Sequence, residues 1–175
     1  MSSKQPKSFY LIALLEIWER FGYYGVQAII VVFMVKQLGY TDKYADILFT
    51  SFAALVFLLP ALGGYIGDSY LGTKRTILFG AFTLAIGYGL LSLPEIGQNY
   101  LALPLAVIAV GNGLFKANPS SLLSKIYQRE QRSADRGFTL YYMSVNIGSF
   151  LSMSSTPIIS KHFGWHMGFL ACFIE

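Results

Sequence analysis

The stretch "LLEIWERFGYYGVQAIIVVFMV", residues 14–35, sets Glu16, Glu19 and Arg20 inside a run that is otherwise apolar. Such a run is about as long as a helix needs to cross the roughly 30 Å hydrocarbon core of a bilayer. The rest of the chain has the same character. Of 175 residues, 54% are hydrophobic, 16% aromatic and 13% charged, against about 25% charged in an average soluble domain. Five apolar stretches of spanning length follow one another, at about 9–36, 45–66, 76–93, 100–125 and 137–160. A sixth begins near Gly168, but "GFLACFIE" at 168–175 is too short to cross. The pattern predicts an all-α membrane protein that reads as a piece cut inside its sixth helix.

The polar leader Met1 to Ser8 runs into a long apolar helix without a short apolar core and small-residue cleavage site, so the first span is expected to be retained. One cysteine, Cys172, leaves no internal disulfide to form. The formal charge of +4 is distributed by loop rather than gathered for nucleic acid. Lys4, Lys7, Lys74, Arg75, Lys125, Arg129, Arg132 and Arg136 lie in the leader and the second and fourth connections, whereas only Lys36, Lys43 and Lys161 lie in the others. Under the positive-inside rule this bias of eight to three puts the N-terminus in the cytoplasm. Arg20 and Lys116 complete the basic residues, and both fall inside spans.

Ionisable groups within a membrane are costly, and they normally face an interior and pair with one another. At about 100° per residue, Glu16, Glu19, Arg20, Tyr23 and Gln27 form one stripe on the first helix, with Trp18 roughly opposite. A structural ion pair at i, i+4 would explain Glu16 and Arg20. It leaves the second glutamate and the extension to Tyr23 and Gln27 unexplained. With a rise of about 1.5 Å per residue, Glu16, Lys116 and Asn146 all lie roughly 10 to 14 Å from the cytoplasmic ends of their spans. Polar groups of the first, fourth and fifth spans at one depth are expected to line a single cavity, in which Lys116 approaches Glu16 or Glu19. Pro119 and Pro157 each remove a backbone donor and are expected to kink their helices. His162 and His166, four apart in "HFGWH", read as a turn outside the membrane rather than a metal site.

The second connection, "GGYIGDSYLGTKRT", frames Asp68 with Gly63, Gly64, Gly67 and Gly72 and opens the next helix with Lys74 and Arg75. It resembles the cytoplasmic loop between the second and third helices of the major facilitator superfamily, where it acts in gating. That resemblance implies a gating role for Gly67, Asp68, Gly72 and Arg75.

Three further stretches narrow the resemblance. "EIWERFGYYG" is similar to the E-x-x-E-R-F-x-Y-Y-G signature of the proton-dependent oligopeptide transporter family. "YYMSVNIGS" is similar to that family's F-Y-x-x-I-N-x-G-S element, and "GNGLFKANPSS" surrounds Lys116. The family's commoner K-P-N order appears as Lys116, Ala117, Asn118, Pro119, and Val145 stands in place of isoleucine. The resemblance is to the di- and tripeptide permeases of bacteria. It implies a major-facilitator-type fold of two six-helix bundles working by alternating access in the inner membrane, with this chain as the N-terminal bundle and a C-terminal bundle completing the site.

A zwitterionic peptide needs a cation for its carboxylate. Arg20 offers a planar fork and Lys116 a mobile point charge. The resemblance supports both and implies a hydrogen bond from Asn146 to the peptide's amino end. Tyr23, Tyr24 and Gln27 are expected to line the peptide site, Tyr65 less centrally. A proton-coupling group must exist both charged and neutral, and desolvation and a neighbouring cation pull a carboxyl in opposite directions. Glu16 and Glu19, with Lys116 as counter-charge, meet that requirement. The protein is expected to be a symporter rather than an enzyme, with protons as coupling ion and no metal or other cofactor. A proton symporter of nitrate or another small anion would use the same basic residues. A channel would not need the two glutamates, and a non-transporting membrane fragment is the remaining alternative.

Overall fold

The computed structural model describes residues 5–94, 96–97, 100–129 and 134–174. Lys4 and Arg132, both in the charge count, and Glu175, the end of the sixth expected span, lie outside them. Among the described residues there are seven α-helices and no strand.

Helix α1, Lys7–Lys36, starts after Pro6 and runs unbroken through the polar stripe. The chain then turns at Gly39, and the Tyr40 N–H donates to the Met34 carbonyl at 3.0 Å. Helix α2, Asp42–Ile66, is capped by Thr41, whose hydroxyl accepts from the Tyr44 N–H at 3.3 Å. Such a cap satisfies one of the donors left open in a first helical turn. After Pro60, α2 ends in one π-helical turn, Gly67–Leu71. Gly72 then takes φ +80°, a left-handed conformation open to glycine without steric cost, and redirects the chain into α3, Thr73–Leu91.

Helices α4, Ala102–Lys116, and α5, Asn118–Arg129, occupy the stretch expected to be a single span at 100–125. The break falls at Ala117 and has a local cause. Pro119 has no N–H to continue α4, while the Asn118 amide turns back to donate to Leu114 O at 2.7 Å and Gly63 O at 3.2 Å. Helix α6, Asp135–Phe163, carries Pro157 without interruption and gives way at Gly164, φ +94°, to α7, Trp165–Ile174.

The main pairings are α1 with α6, α3 with α4, and α2 with α4, while α7 fits among α1, α3 and α6. The core is the apolar side of α1 (Val26, Ile29, Ile30, Phe33, Met34) against Leu84, Tyr88 and Leu91 of α3, Ile108 of α4 and Phe169 of α7. A smaller cluster joins Phe9, Ile12 and Ala13 to Leu123, Tyr127 and Tyr141. The exterior is as apolar as the core. Phe57, Phe82 and Phe150 are 72%, 68% and 71% exposed, and such faces belong against lipid or another protein surface rather than water. Among the described residues, the continuous helix Asp42–Leu71 is the one whose length and apolar content alone suffice to cross a bilayer. Buried charges in α1, the break after α4 and the hydroxyls of α6 dilute the others.

Candidate functional site

The stripe on α1 closes into a buried charge cluster. Arg20 Nε lies 3.1 Å from Glu16 Oε1 and 2.5 Å from Glu19 Oε2. The three residues are 5%, 3% and 0% exposed. Their spacing of i, i+3, i+4 puts them on one helix face, and neighbouring helices complete the contacts. From α6, the Tyr141 hydroxyl donates to Glu16 Oε2 at 2.8 Å. From α4, Asn112 Nδ2 donates to Glu19 Oε1 at 2.5 Å. Gly148 lets α6 come this close. A side chain there would meet Ile17 O at 2.5 Å and Arg20 Cβ at 3.0 Å.

The charges do not balance within the trio. Two carboxyls face one guanidinium, each approaching it at Nε as an ion-pair contact in which Nε makes no hydrogen bond. The terminal nitrogens of Arg20 form the planar fork suited to a carboxylate. Burying an uncompensated charge is expensive, and with both carboxyls ionised the trio carries one negative charge more than its guanidinium offsets.

Around it, Tyr23 is buried with its ring centroid 5.9 Å from Arg20 Cζ, and its hydroxyl accepts from Gln27 Nε2 at 2.8 Å. Tyr24 is half-buried and meets Tyr23 edge-on at 5.2 Å. The structure therefore brings Glu16, Glu19, Arg20, Tyr23, Tyr24 and Gln27 together. Lys116, at the end of α4, is half-buried and makes no ion pair with Glu16 or Glu19. Its Nζ stands 4.8 Å from the centre of the Phe57 ring on α2. The expected approach of Lys116 to the glutamates is replaced here by a cation–π contact. Asn146 lies on an exposed face of α6. Tyr65 is 59% exposed and packs on Tyr70.

At the far end of α2, Asp68 Oδ1 pairs with Lys125 Nζ of α5 at 3.0 Å, and the same amine donates to Thr73 Oγ1 at 2.7 Å. Lys125, not the exposed Arg75, is the cation on Asp68. Gly67 faces the Asn118 amide, so the π turn, the start of α3 and α5 meet at one point. His162 and His166 are exposed on either side of Gly164, and among the described residues no three His, Cys, Asp or Glu side chains gather.

Sequence reasoning missed Tyr141, Asn112 and Phe57. The first two sit inside stretches already singled out, "YYMSVNIGS" and "GNGLFKANPSS". A buried asparagine one turn before an intramembrane lysine was the available signal for Asn112. Phe57 carried none, since nothing separates it from the other aromatics of α2.

The family model of the POT family matches residues 74–175. Dipeptide and tripeptide permease A of Citrobacter koseri is 55% identical over 171 residues, which are 98% of this chain and 34% of the relative. Dipeptide and tripeptide permease B of Salmonella typhimurium is 53% identical over 169 residues, 97% of this chain and 35% of that one. The chain thus spans about a third of the length of the curated relatives it matches. Among solved structures, a bacterial homologue of the human drug peptide transporters PepT1 and PepT2 superposes with TM-score 0.88 at 47% identity, covering 95% of this chain and 38% of that one. A mutant of the peptide transporter POT in complex with alafosfalin gives TM-score 0.93 at 31% identity over 97% of this chain and 36% of the other.

Proposed function

This chain belongs to the POT family, an all-α membrane-transporter fold of the major facilitator type, and from that membership we propose that it forms the N-terminal bundle of a longer proton-coupled symporter of di- and tripeptides. The substrate class comes from relatives named as dipeptide and tripeptide permeases. The observation that carries the mechanism is the buried Glu16–Arg20–Glu19 cluster, in which two carboxyls share one guanidinium nitrogen.

Protonation of either glutamate removes a negative charge and weakens its hold on Arg20. The guanidinium fork then binds the peptide carboxylate, with Tyr23, Tyr24 and Gln27 against the peptide backbone. Lys116, now over Phe57, is the counter-charge that returns to the glutamates when the proton leaves. Asn146 and Tyr65, on faces exposed in this chain, meet the peptide's amino end and a side chain once the C-terminal bundle closes the cavity. Gly67, Asp68, Gly72 and Arg75 form the cytoplasmic gate, with Lys125 as its additional cation. A protonation-dependent preference between two arrangements suffices for coupling, because a ligand shifts an equilibrium by its differential affinity for the states. The spans are those at 9–36, 45–66, 76–93, 137–160 and the stretch begun at 168, with α4 and α5 together making the crossing at 100–125. The membrane is the cell inner membrane, with the N-terminus cytoplasmic.

Uptake by the full-length transporter in proteoliposomes under an imposed pH gradient tests this reading. Lys116→Ala and Glu19→Gln should abolish gradient-driven accumulation yet leave peptide exchange. Arg20→Ala should weaken binding itself, and Arg20→Lys should not fully restore it, since a point charge lacks the bidentate fork. Competition by dipeptides and not by nitrate is expected. Unchanged accumulation in the Lys116 and Glu19 variants would remove these residues from the mechanism.

A further inference from the structure

Asn112 is fully buried, and only one end of its amide is engaged. Its Nδ2 donates to Glu19 Oε1 at 2.5 Å, while its Oδ1 is buried with no hydrogen-bond partner. Buried amide oxygens are nearly always satisfied, so an idle acceptor 0% exposed beside a carboxyl calls for a use. The chemistry of the neighbours supplies one. A charged carboxylate only accepts hydrogen bonds, whereas a protonated carboxyl must also donate one.

The groups facing Glu19 are few. On α1 they are Arg20, which only donates, Glu16, whose two oxygens are taken by Arg20 and Tyr141, and Tyr23, which interacts with Glu19 electrostatically while its hydroxyl accepts from Gln27. Lys116 of α4 interacts with Glu19 electrostatically and has no acceptor. Tyr88 of α3, packed at Gly22, interacts with Glu19 electrostatically, and its buried hydroxyl also has no hydrogen-bond partner but makes no hydrogen bond to Glu19. Tyr141 of α6 is committed to Glu16. Among the side chains hydrogen-bonded or ion-paired to Glu19, Asn112 alone offers both a donor and an acceptor.

We infer that Asn112 is a positioning residue for the coupling proton, serving Glu19 in both protonation states by turning its amide over. This rests on the proton-coupled reading of the cluster. With Glu19 charged, Nδ2–H donates to Oε1. When a proton arrives on Oε1, the amide rotates by half a turn about its last side-chain bond, and Oδ1 accepts the new O–H. No bond within the amide changes, and the proton stays on Glu19 until the site opens to the opposite side of the membrane and releases it there. One end of the amide is idle in either state, so neither state is favoured by that deficit. Asn112 also stands one helical turn before Lys116 on the same face of α4. The amide that registers the proton therefore sits on the helix that carries the mobile cation.

Threonine and valine are nearly identical in shape and differ in whether they present a hydroxyl that donates or accepts, so Asn112→Thr and Asn112→Val in the full-length transporter separate hydrogen bonding from packing. In proteoliposomes, Asn112→Thr should keep peptide accumulation driven by a pH gradient, while Asn112→Val should lose it by about tenfold or more, the scale of a buried hydrogen bond to a charged group. Counterflow exchange without a gradient should be similar in the two, which certifies folding. Equal accumulation by the two variants, whether retained or lost, overturns the role of Asn112. A wild-type transporter that exchanges peptides but never accumulates them under a pH gradient would instead overturn the proton-coupled reading itself.

Discussion

Replacing Tyr141 by phenylalanine removes one oxygen from the charge cluster and nothing else of consequence. The ring keeps its place in the apolar cluster with Phe9, Ile12 and Tyr127, so the change isolates the hydrogen bond to Glu16 Oε2 at 2.8 Å. Glu16 is 3% exposed, and water does not readily replace the lost donor. A buried hydrogen bond to a charged group contributes about 1.5–3 kcal/mol, and one between neutral groups about 0.5–1.5. Tyr141→Phe should therefore destabilise the folded protein by about 1.5–3 kcal/mol, whereas Tyr142→Phe, at a position 58% exposed, should stay within about 0.5. A double-mutant cycle with Glu16→Gln sharpens the test. In the glutamine background the hydroxyl meets a neutral amide, so its removal should cost less by about 1 kcal/mol, the difference between the two kinds of bond. The assay is denaturant unfolding of the full-length protein in detergent micelles, with the four variants compared under one condition. Additivity within about 0.3–0.5 kcal/mol would refute the claim that Tyr141 acts through the Glu16 carboxyl.

Gly148→Ala tests the close approach of α6 to α1. The added methyl meets Ile17 O and Arg20 Cβ, so the variant should lose about 1–3 kcal/mol in the same unfolding assay, the usual cost of overpacking. A neutral result would mean that α6 does not pass so near Arg20. Topology is tested by cysteines at Ser3 and Ser133 in intact cells. Neither should react with a membrane-impermeant reagent from outside, and labelling at both would reverse the orientation drawn from the basic residues.

The charged stripe was legible because it is local. Five residues at i, i+3, i+4, i+7 and i+11 on one uninterrupted helix share a face whatever surrounds them, and an apolar background makes their charges conspicuous. The helical class was legible for the same reason, since runs of spanning length need no tertiary information. The break at Ala117 was only half legible. Pro119 announced a disturbance, but the asparagine bonding back to Leu114 and across to Gly63 depends on how closely α2 and α4 pack.

Depth in a bundle follows from counting residues, and it placed Lys116 and Asn146 at the level of Glu16. Azimuth does not follow from counting. The rotation of each helix about its axis is set by packing against all its neighbours, and it turned Lys116 onto Phe57 and Asn146 to an open face. Asn112 and Tyr141 were turned inward to hold Glu19 and Glu16, 93 and 125 residues away along the chain. The loop motif pointed to Asp68, and its cation, Lys125, comes from α5, 57 residues along the chain. The sequence by itself determined the helices and the charges that one of them carries on a single face. The partners that hold those charges were decided only by the tertiary structure, because they depend on how separate helices are rotated against one another.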